Sequence, residues 1–517
     1  MKNQFAIIAC LFSYAVLGQG SMDIDWQRNL GGGAGDFFTN VGSTADGGYI
    51  LTGYTSSDDI EVPSYNGSAD TWVVKTDPSG TTQWQQCFGG SAMDNAQAII
   101  QTGDGGYMLV GSTSSNDGHV TGHHGGYDAL VIRLDANGEL IWAKCFGGTL
   151  NDHGMDLIRT SDDRFMMVGS TNSNDEDVHG NNGNYDVWVL SFDSDGVIEW
   201  QNCYGGSAND LAEAICTSPS GGYAIACSTT STDGDVTGNN GNNDVWILNI
   251  DTNGSIVWQY CYGGSYNDTG NDIFHSPDEG LIFAATCVSS DGHISTNHGG
   301  SDGWIGKLDS NGTLLWEKSY GGSDHDELFN IQTGAQGNIV VSGYTISMEI
   351  EGHSGAKDLW VMELTENGDL IWEKAYGGSN TEEATGSIMT VDGGIFLAGY
   401  SNSIDGDLGG NNGSHDAWML KLAPNHTSVH GFDTNPTSII PNPTHGPCTI
   451  LFSTTDPGII RIVLHDLAGH MLVDLFTGHM PVGGTTLNFS IDQVPAGIYF
   501  LQIQSGKQFT THKVVKL

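Results

Sequence analysis

Apolar and polar positions along the chain form short runs of about seven residues, with no sustained period of 3.6 that would mark a helix face. The stretch after Asp94 shows the pattern. Ala96 to Gln101, Gly106 to Ser112 (GYMLVGS), Asp128 to Leu134 (DALVIRL) and Glu139 to Phe146 (ELIWAKCF) are rich in β-branched, aromatic and aliphatic residues. Thr102-Gly103-Asp104-Gly105 and Asp135-Ala136-Asn137-Gly138 separate them as tight turns, since Asn, Asp and Gly tolerate positive φ. The pattern predicts four antiparallel strands.

The tryptophans show that this unit repeats. Trp26, Trp84, Trp142, Trp200, Trp258 and Trp316 are spaced 58 residues apart, and Trp372 follows after 56. A second series runs Trp72, Trp188, Trp246, Trp304, Trp360 and Trp418, with Leu130 in the missing place. Seven units of four strands predict an all-β, seven-bladed β-propeller. The rival is a β-solenoid, for which such a coil is long and which needs polar caps at both ends. The ends of the repeat region favour the ring. Residues 23–30 match only the fourth strand of a unit, and residues 382–422 match only the first three. The N-terminal strand is expected to close the last blade beside Asp416 to Leu422, leaving no open seam.

Composition changes the picture in two ways. Among 517 residues, 16 Lys and Arg stand against 61 Asp and Glu, a net charge of −45 that repels nucleic acid and anionic membrane surfaces. Gly, at 75 residues, is about double its usual share, which agrees with many tight turns. Residues 1–18 read as a secretory signal peptide: Lys2, an apolar run from Phe5 to Leu17, and small or permissive residues before Gln19. No later stretch is apolar enough to span a membrane as a helix. Besides Cys10, eight cysteines remain. Cys87, Cys145, Cys203 and Cys261 occupy equivalent places in successive units, too far apart to bridge, and read as packing residues. Cys216 and Cys227 are the one pair that could face each other, across a hairpin centred on Gly221-Gly222.

The repeated D-x-x-G-x-x-x-W, as in Asp77…Gly80…Trp84 and Asp135…Gly138…Trp142, resembles the tryptophan-docking motif of quinoprotein-like propellers. The resemblance implies that the indole packs between neighbouring blades. It concerns architecture, not chemistry.

Strands that alternate in direction bring the fourth-to-first and second-to-third connections to one face. An acid opens every first strand (Asp36, Asp94, Asp152, Asp210, Asp268, Asp326, Glu382) and every third strand (Asp70, Asp128, Asp186, Asp244, Asp302, Asp358, Asp416). Two readings stay open. Each acid can fix its turn by accepting N–H hydrogen bonds. Alternatively, Asp175, Asp177 and Asp186, with Asp233, Asp235 and Asp244, and Asp405, Asp407 and Asp416, offer hard oxygens at the spacing Ca²⁺ prefers. Ca²⁺ is the one cofactor the sequence suggests. His119, His123, His124, His293 and His298 replace Asp or Asn in some loops and read as solvated loop residues.

First strands line the central channel, and there the units differ. His153, Glu213, Glu327 and Glu383 are the candidates for a polar binding pocket. No nucleophile elbow, zinc-protease helix or phosphate loop occurs, so no catalytic residue is assigned.

After Leu422 the repeat stops. Residues 424–438, with Pro424 and Pro436, read as a linker, and alternating apolar runs in 439–517 predict a small β-sandwich. Pro441-Asn442-Pro443-Thr444-x-Gly446 is followed by a block ending in Gly469, then Pro495-Ala496-Gly497-Ile498-Tyr499-Phe500, and finally Lys513-Val514-Val515-Lys516-Leu517. These four blocks resemble the type A C-terminal sorting domain of the Bacteroidetes type IX secretion system. The resemblance implies export across the outer membrane by that machinery, removal of this domain, and release or attachment at the cell surface. The expected molecule is therefore a signal peptide (1–18), a propeller (19–423), a linker (424–438) and a sorting domain (439–517). Its loop-rich face would bind polysaccharide or a surface protein. The alternatives are an extracellular enzyme with its site in the channel and a structural surface component. A single pocket of unlike polar groups would favour the enzyme.

Overall fold

The computed structural model describes residues 22–59, 62, 67–334, 337–424, 433–440, 444, 447–454, 458–465, 471–480, 483–505 and 508–517. The signal-peptide reading of residues 1–18 lies outside them. Two compact units are present, 1–424 and 425–517. Strand Asp433–Ile440 begins within the span read as a linker.

In the first unit the described residues form seven four-stranded antiparallel sheets. Six run in chain order, as in Asp94–Gln101, Tyr107–Thr113, Asp128–Leu134 and Leu140–Phe146. The seventh takes Glu382–Met389, Ile395–Ser401 and Asp416–Leu422 and completes itself with Ile24–Leu30. Asn29 sits opposite Trp418, and the Trp418 indole N–H donates to Gln27 Oε1 at 2.8 Å.

The sheets close into a ring. First strands of neighbouring blades touch all the way round, including Asp36–Ser43 against Glu382–Met389. Side chains tie them: the Thr39 hydroxyl donates to the Ala96 carbonyl at 2.7 Å, and Thr385 donates to the Phe38 carbonyl at 2.6 Å. The expected propeller, with its N-terminal strand in the last blade, is the observed architecture.

Packing explains both tryptophan series. The third-strand indoles Trp72, Trp188, Trp246, Trp304 and Trp360 have no exposed surface and form the centres of the inter-sheet core. Six of the seven fourth-strand indoles, all but Trp372, lie over the turn glycine of the next blade. At Gly138, φ is +82°, and an added Cβ would meet the Trp84 ring at 2.7 Å, so backbone and neighbour both demand glycine.

Cys87, Cys145, Cys203, Cys216, Cys227, Cys261 and Cys287 are free thiols. The Cys216–Cys227 reading is corrected: Cys216 lies opposite Ala224 and Cys227 opposite Ala212. A tight turn at Ser218–Gly222 and a bulge after Ala212 set this register, not a turn centred on Gly221-Gly222.

The second unit is a β-sandwich of a three-stranded and a four-stranded antiparallel sheet around Ile462, Leu464, Leu501, Ile503 and Val514. Tyr499 donates its hydroxyl to the Pro495 carbonyl at 2.8 Å. Lys516 donates to the carbonyls of Ile491 and Asp492, both at 2.9 Å, and of Val494 at 2.5 Å. The last two sorting blocks, with Gly497 between Pro495 and Tyr499, are thus one structural lock. Pro441, Asn442, Pro443, Gly446 and Gly469 lie outside the described residues.

Candidate binding channel

The loop acids resolve first. Each first-strand acid is a buried latch. Asp210 Oδ2 accepts the Gly206 N–H and the Ser231 hydroxyl, both at 2.8 Å, and its Oδ1 accepts the Thr229 hydroxyl. Third-strand acids accept the N–H four residues upstream, as Asp186 does from Asn182 and Asp244 from Asn240, each at 2.8 Å. The second oxygen of Asp128, Asp186, Asp244, Asp302 and Asp358 is buried without a hydrogen-bond partner among the described residues. It faces the first glycine of the next blade's Gly-Gly pair. A Cβ on Gly205 would lie 2.7 Å from Asp186 Oδ1 and 2.6 Å from Asp210 Oδ2. Burial, with Asp210 nearby, pushes the Asp186 carboxyl up to about 6.

The remaining acids of the Ca²⁺ reading fasten neighbouring loops. Asp175 accepts the Thr149 N–H at 2.8 Å, Asp233 the Ser207 N–H at 2.7 Å, and Asp405 the Ser379 N–H at 2.8 Å. Asp177, Asp235 and Asp407 accept from Gly147, Gly205 and Gly377 at 3.4, 3.2 and 3.1 Å. Asp416 accepts from Asn412 at 2.8 Å. Among the described residues, no three Asp, Glu, His or Cys side chains converge on one metal position. These acids do not fit a Ca²⁺ cage, because each has an oxygen fixed on a backbone N–H of a different loop and the carboxylates do not converge. We expect that a chelator leaves the melting temperature unchanged, measured by calorimetry with and without added Ca²⁺.

The loop histidines take similar places. His119 and His293 stand where other blades have Asp177 or Asp235, each with Nδ1 at 3.3 Å from a glycine N–H. His124 and His298 have Nδ1 at 2.8 and 2.7 Å from Asp128 and Asp302, and His123 Nε2 lies 3.0 Å from the Gly126 carbonyl.

The symmetry breaks in the channel. Every first strand carries a bulge after its third residue. The extra residue is Thr39, Gln97, Met155, Glu213, Asn271, Phe329 or Thr385, and all seven line one cavity of about 440 Å³. One strand position thus contributes alcohol, amide, thioether, carboxyl and aromatic groups to a single space. Glu383 also lines it, with Oε1 receiving the Lys357 ammonium at 2.7 Å.

Three carboxyls there are strongly perturbed. Desolvation alone pushes Glu213 up to about 7, and among the described residues no hydrogen bond reaches it. Asp156 bridges two blades by accepting from Leu157 at 2.7 Å and Ile215 at 2.9 Å, yet burial still pushes it up to about 6. Asp272 does the same with Ile273 at 2.7 Å and Ile331 at 2.8 Å, and burial pushes it up to about 7.

Of the four residues picked from sequence, Glu213 and Glu383 line the cavity and His153 and Glu327 do not. His153 opens toward the loop face, 5.5 Å from the Tyr127 ring and 6.3 Å from the Tyr185 ring, with Nδ1 at 3.0 Å from Ser112 Oγ. Burial lowers its pKa. Glu327 lies beside Tyr344 and helps hold that phenol protonated, after burial itself. A second aromatic group joins Phe37 to Tyr54 at 4.8 Å and to His415 at 5.3 Å. These rings are half-buried at the loop-side ends of their strands.

Sequence reading missed Asp156, Asp272 and Asn271. The signal for Asn271 was available in the aligned repeats, where the fourth residue of the first strand takes six identities in seven units; Asp156 and Asp272 are fifth residues, a place that also varies among Asn, Ala, Asp and Gly.

Residues 438–517 match the family described as "Secretion system C-terminal sorting domain". That domain marks the protein for a secreted or cell-surface location by way of the type IX machinery. Among the described residues, no helix is long and apolar enough to cross a membrane. No curated protein matches the chain. Among solved structures, a puromycin hydrolase is 12% identical with a TM-score of 0.43, covering 81% of this chain and 59% of its own. A polysaccharide lyase described as an ulvan lyase is 9% identical with a TM-score of 0.43, covering 77% of this chain and 96% of its own. A glucose dehydrogenase is 10% identical with a TM-score of 0.37, covering 77% and 99%. Scores of this size carry no argument about chemistry.

Proposed function

We propose that this secreted or cell-surface propeller is a binding module for carbohydrate, with its site in the central channel. One observation carries the reading: a scaffold repeated sevenfold becomes unlike at the bulged strand position that all seven blades present to a shared cavity. Alcohol and amide groups from Thr39, Gln97 and Thr385 suit sugar hydroxyls. The half-exposed Phe37, Tyr54, Tyr127 and Tyr185 rings at the loop-side end suit the apolar faces of sugar rings. Nothing comparable is offered by the loop tips, whose acids are engaged in holding turns.

A glycan array probed with the mature protein tests the reading. We expect binding that is lost in Met155→Trp, which fills the cavity, while the melting temperature changes little. Binding that survives the filled channel moves the site to the loop face, and binding to a surface protein instead of any glycan replaces the carbohydrate partner.

A second reading meets the criterion set in the sequence analysis, because unlike polar groups share a single pocket and that favours an enzyme. A desolvated Glu213 that stays protonated near neutrality has the chemistry of a general acid. Release of reducing ends from a bound glycan, abolished in Glu213→Gln, would make the protein an enzyme that cleaves what it holds.

A further inference from the structure

The channel has an electrostatic bias that its shape does not require. Of the side chains lining the cavity, Glu213, Asp156, Asp272 and Glu383 are acids and none is basic. The nearby ammonium of Lys357 is already given to Glu383 and lies 3.9 Å from the centre of the Tyr344 ring. Asp156 and Asp272 are each satisfied by two backbone N–H groups, and the Asn330 amide adds a third bond to Asp272 at 3.1 Å. Glu213 differs from all three. Its carboxyl lies in the cavity wall and, among the described residues, receives no hydrogen bond and faces no cation. An enclosed carboxylate without a partner is costly, and the cost disappears when a positive donor enters. A narrow channel walled by protein also concentrates the field of its acids, and the whole chain adds to it with a net charge of −45.

We infer that the ligand of the channel carries a protonated amine and that Glu213 receives it, so that the carbohydrate is a sugar with a free amino group. The inference rests on the channel reading above and sharpens it. Uronic-acid and sulfated sugars are excluded by like charge. An N-acetylated amino sugar would present a neutral amide to Glu213 and form no ion pair with it. The amide of Gln97 and the hydroxyls of Thr39 and Thr385, which line the same cavity, then serve the sugar's hydroxyl groups. The unpaired state of Glu213 fits this role, because a carboxylate satisfied by the fold would have nothing to gain from the ligand.

Calorimetric titration of the mature protein tests the inference with four probes: a glucosamine trisaccharide, its fully N-acetylated form, a glucose trisaccharide and spermidine. The glucosamine trisaccharide should bind at least tenfold tighter than the other two sugars, and its affinity should fall as salt is raised. Glu213→Gln, which keeps the shape and has no hydrogen bond to lose, should abolish the preference. Met155→Lys, which places a cation at the equivalent position of the neighbouring first strand, should do the same with Glu213 intact. Equal binding of the neutral sugars, or a preference that survives Glu213→Gln, overturns the amine and leaves carbohydrate binding standing. Spermidine binding without any sugar binding keeps the amine and overturns the carbohydrate. Absence of binding by all four overturns both.

Discussion

Removing residues 22–30 should abolish cooperative folding of the propeller. Those residues supply the fourth strand of the last blade and close the ring. Without them Asp416–Leu422 becomes an open sheet edge, and Trp418, 1% exposed in the intact ring, loses its cover and its Gln27 acceptor. Lys421 loses the Asp25 carboxylate at 3.1 Å, and the Tyr376 hydroxyl loses the Met22 carbonyl at 2.6 Å. A single truncation, Trp418→Ala, should cost about 3–5 kcal/mol by cavity formation alone. Deleting the whole strand exceeds that and approaches the total stability of a domain, about 5–15 kcal/mol. Circular dichroism and thermal unfolding should show no cooperative transition for the deletion. A peptide of residues 22–30 supplied in trans should restore one. A deletion that melts like the intact chain would mean that the ring does not depend on its seam.

The second large effect is a fall in stability as pH rises from about 4 toward neutrality. Burial holds Asp156 at about 6, Asp272 at about 7, Glu213 at about 7 and Asp186 at about 6. Each folded value lies above the ordinary carboxyl value, so the fold binds protons that the unfolded chain releases. Stability is therefore highest near and below the unfolded values, declines as pH rises from about 4 to about 7, and is level above that. Other groups limit the acid side. Asp104 is held at about 2 by the Thr102 hydroxyl and the Arg133 guanidinium, so its contribution is lost as pH falls from about 4 to about 2. The optimum should fall near pH 4 to 5. Glu213→Gln isolates one member. At about 1.4 kcal/mol per pKa unit its shift corresponds to roughly 3 kcal/mol, which water in the channel reduces to about 1–2 kcal/mol. The variant should melt higher than the parent at pH 8 and equally at pH 4.5. Equal melting at both pH values would show that Glu213 is well solvated.

Particular residues show how far the sequence could be read. The 58-residue spacing of Trp84, Trp142 and Trp200 required only counting, and it fixed strand number, order and blade count. The complementary ends at 23–30 and 382–422 fixed closure for the same reason. The channel was harder. Alternation along Asp210–Thr217 places residues of one parity toward the core, but the bulge at Glu213 shifts that phase by one. Glu213 and Ala214 therefore both reach the cavity, and in the equivalent place Asp156 does so, which a strict period of two puts on the wrong face. The loop acids failed in the opposite direction. Asp175, Asp177 and Asp186 look like one ligand set along the chain, yet in space each ends on a backbone N–H of its own.

The sequence by itself determined whatever one repeat specifies locally: seven blades of four strands, glycine at the inter-blade turns, the sealing strand and the sorting domain that directs export. Tertiary structure alone decided which of the many acids is left without a partner. That depends on side chains about 58 residues apart meeting across a closed ring, after a bulge has turned them inward, and no local pattern carries that information.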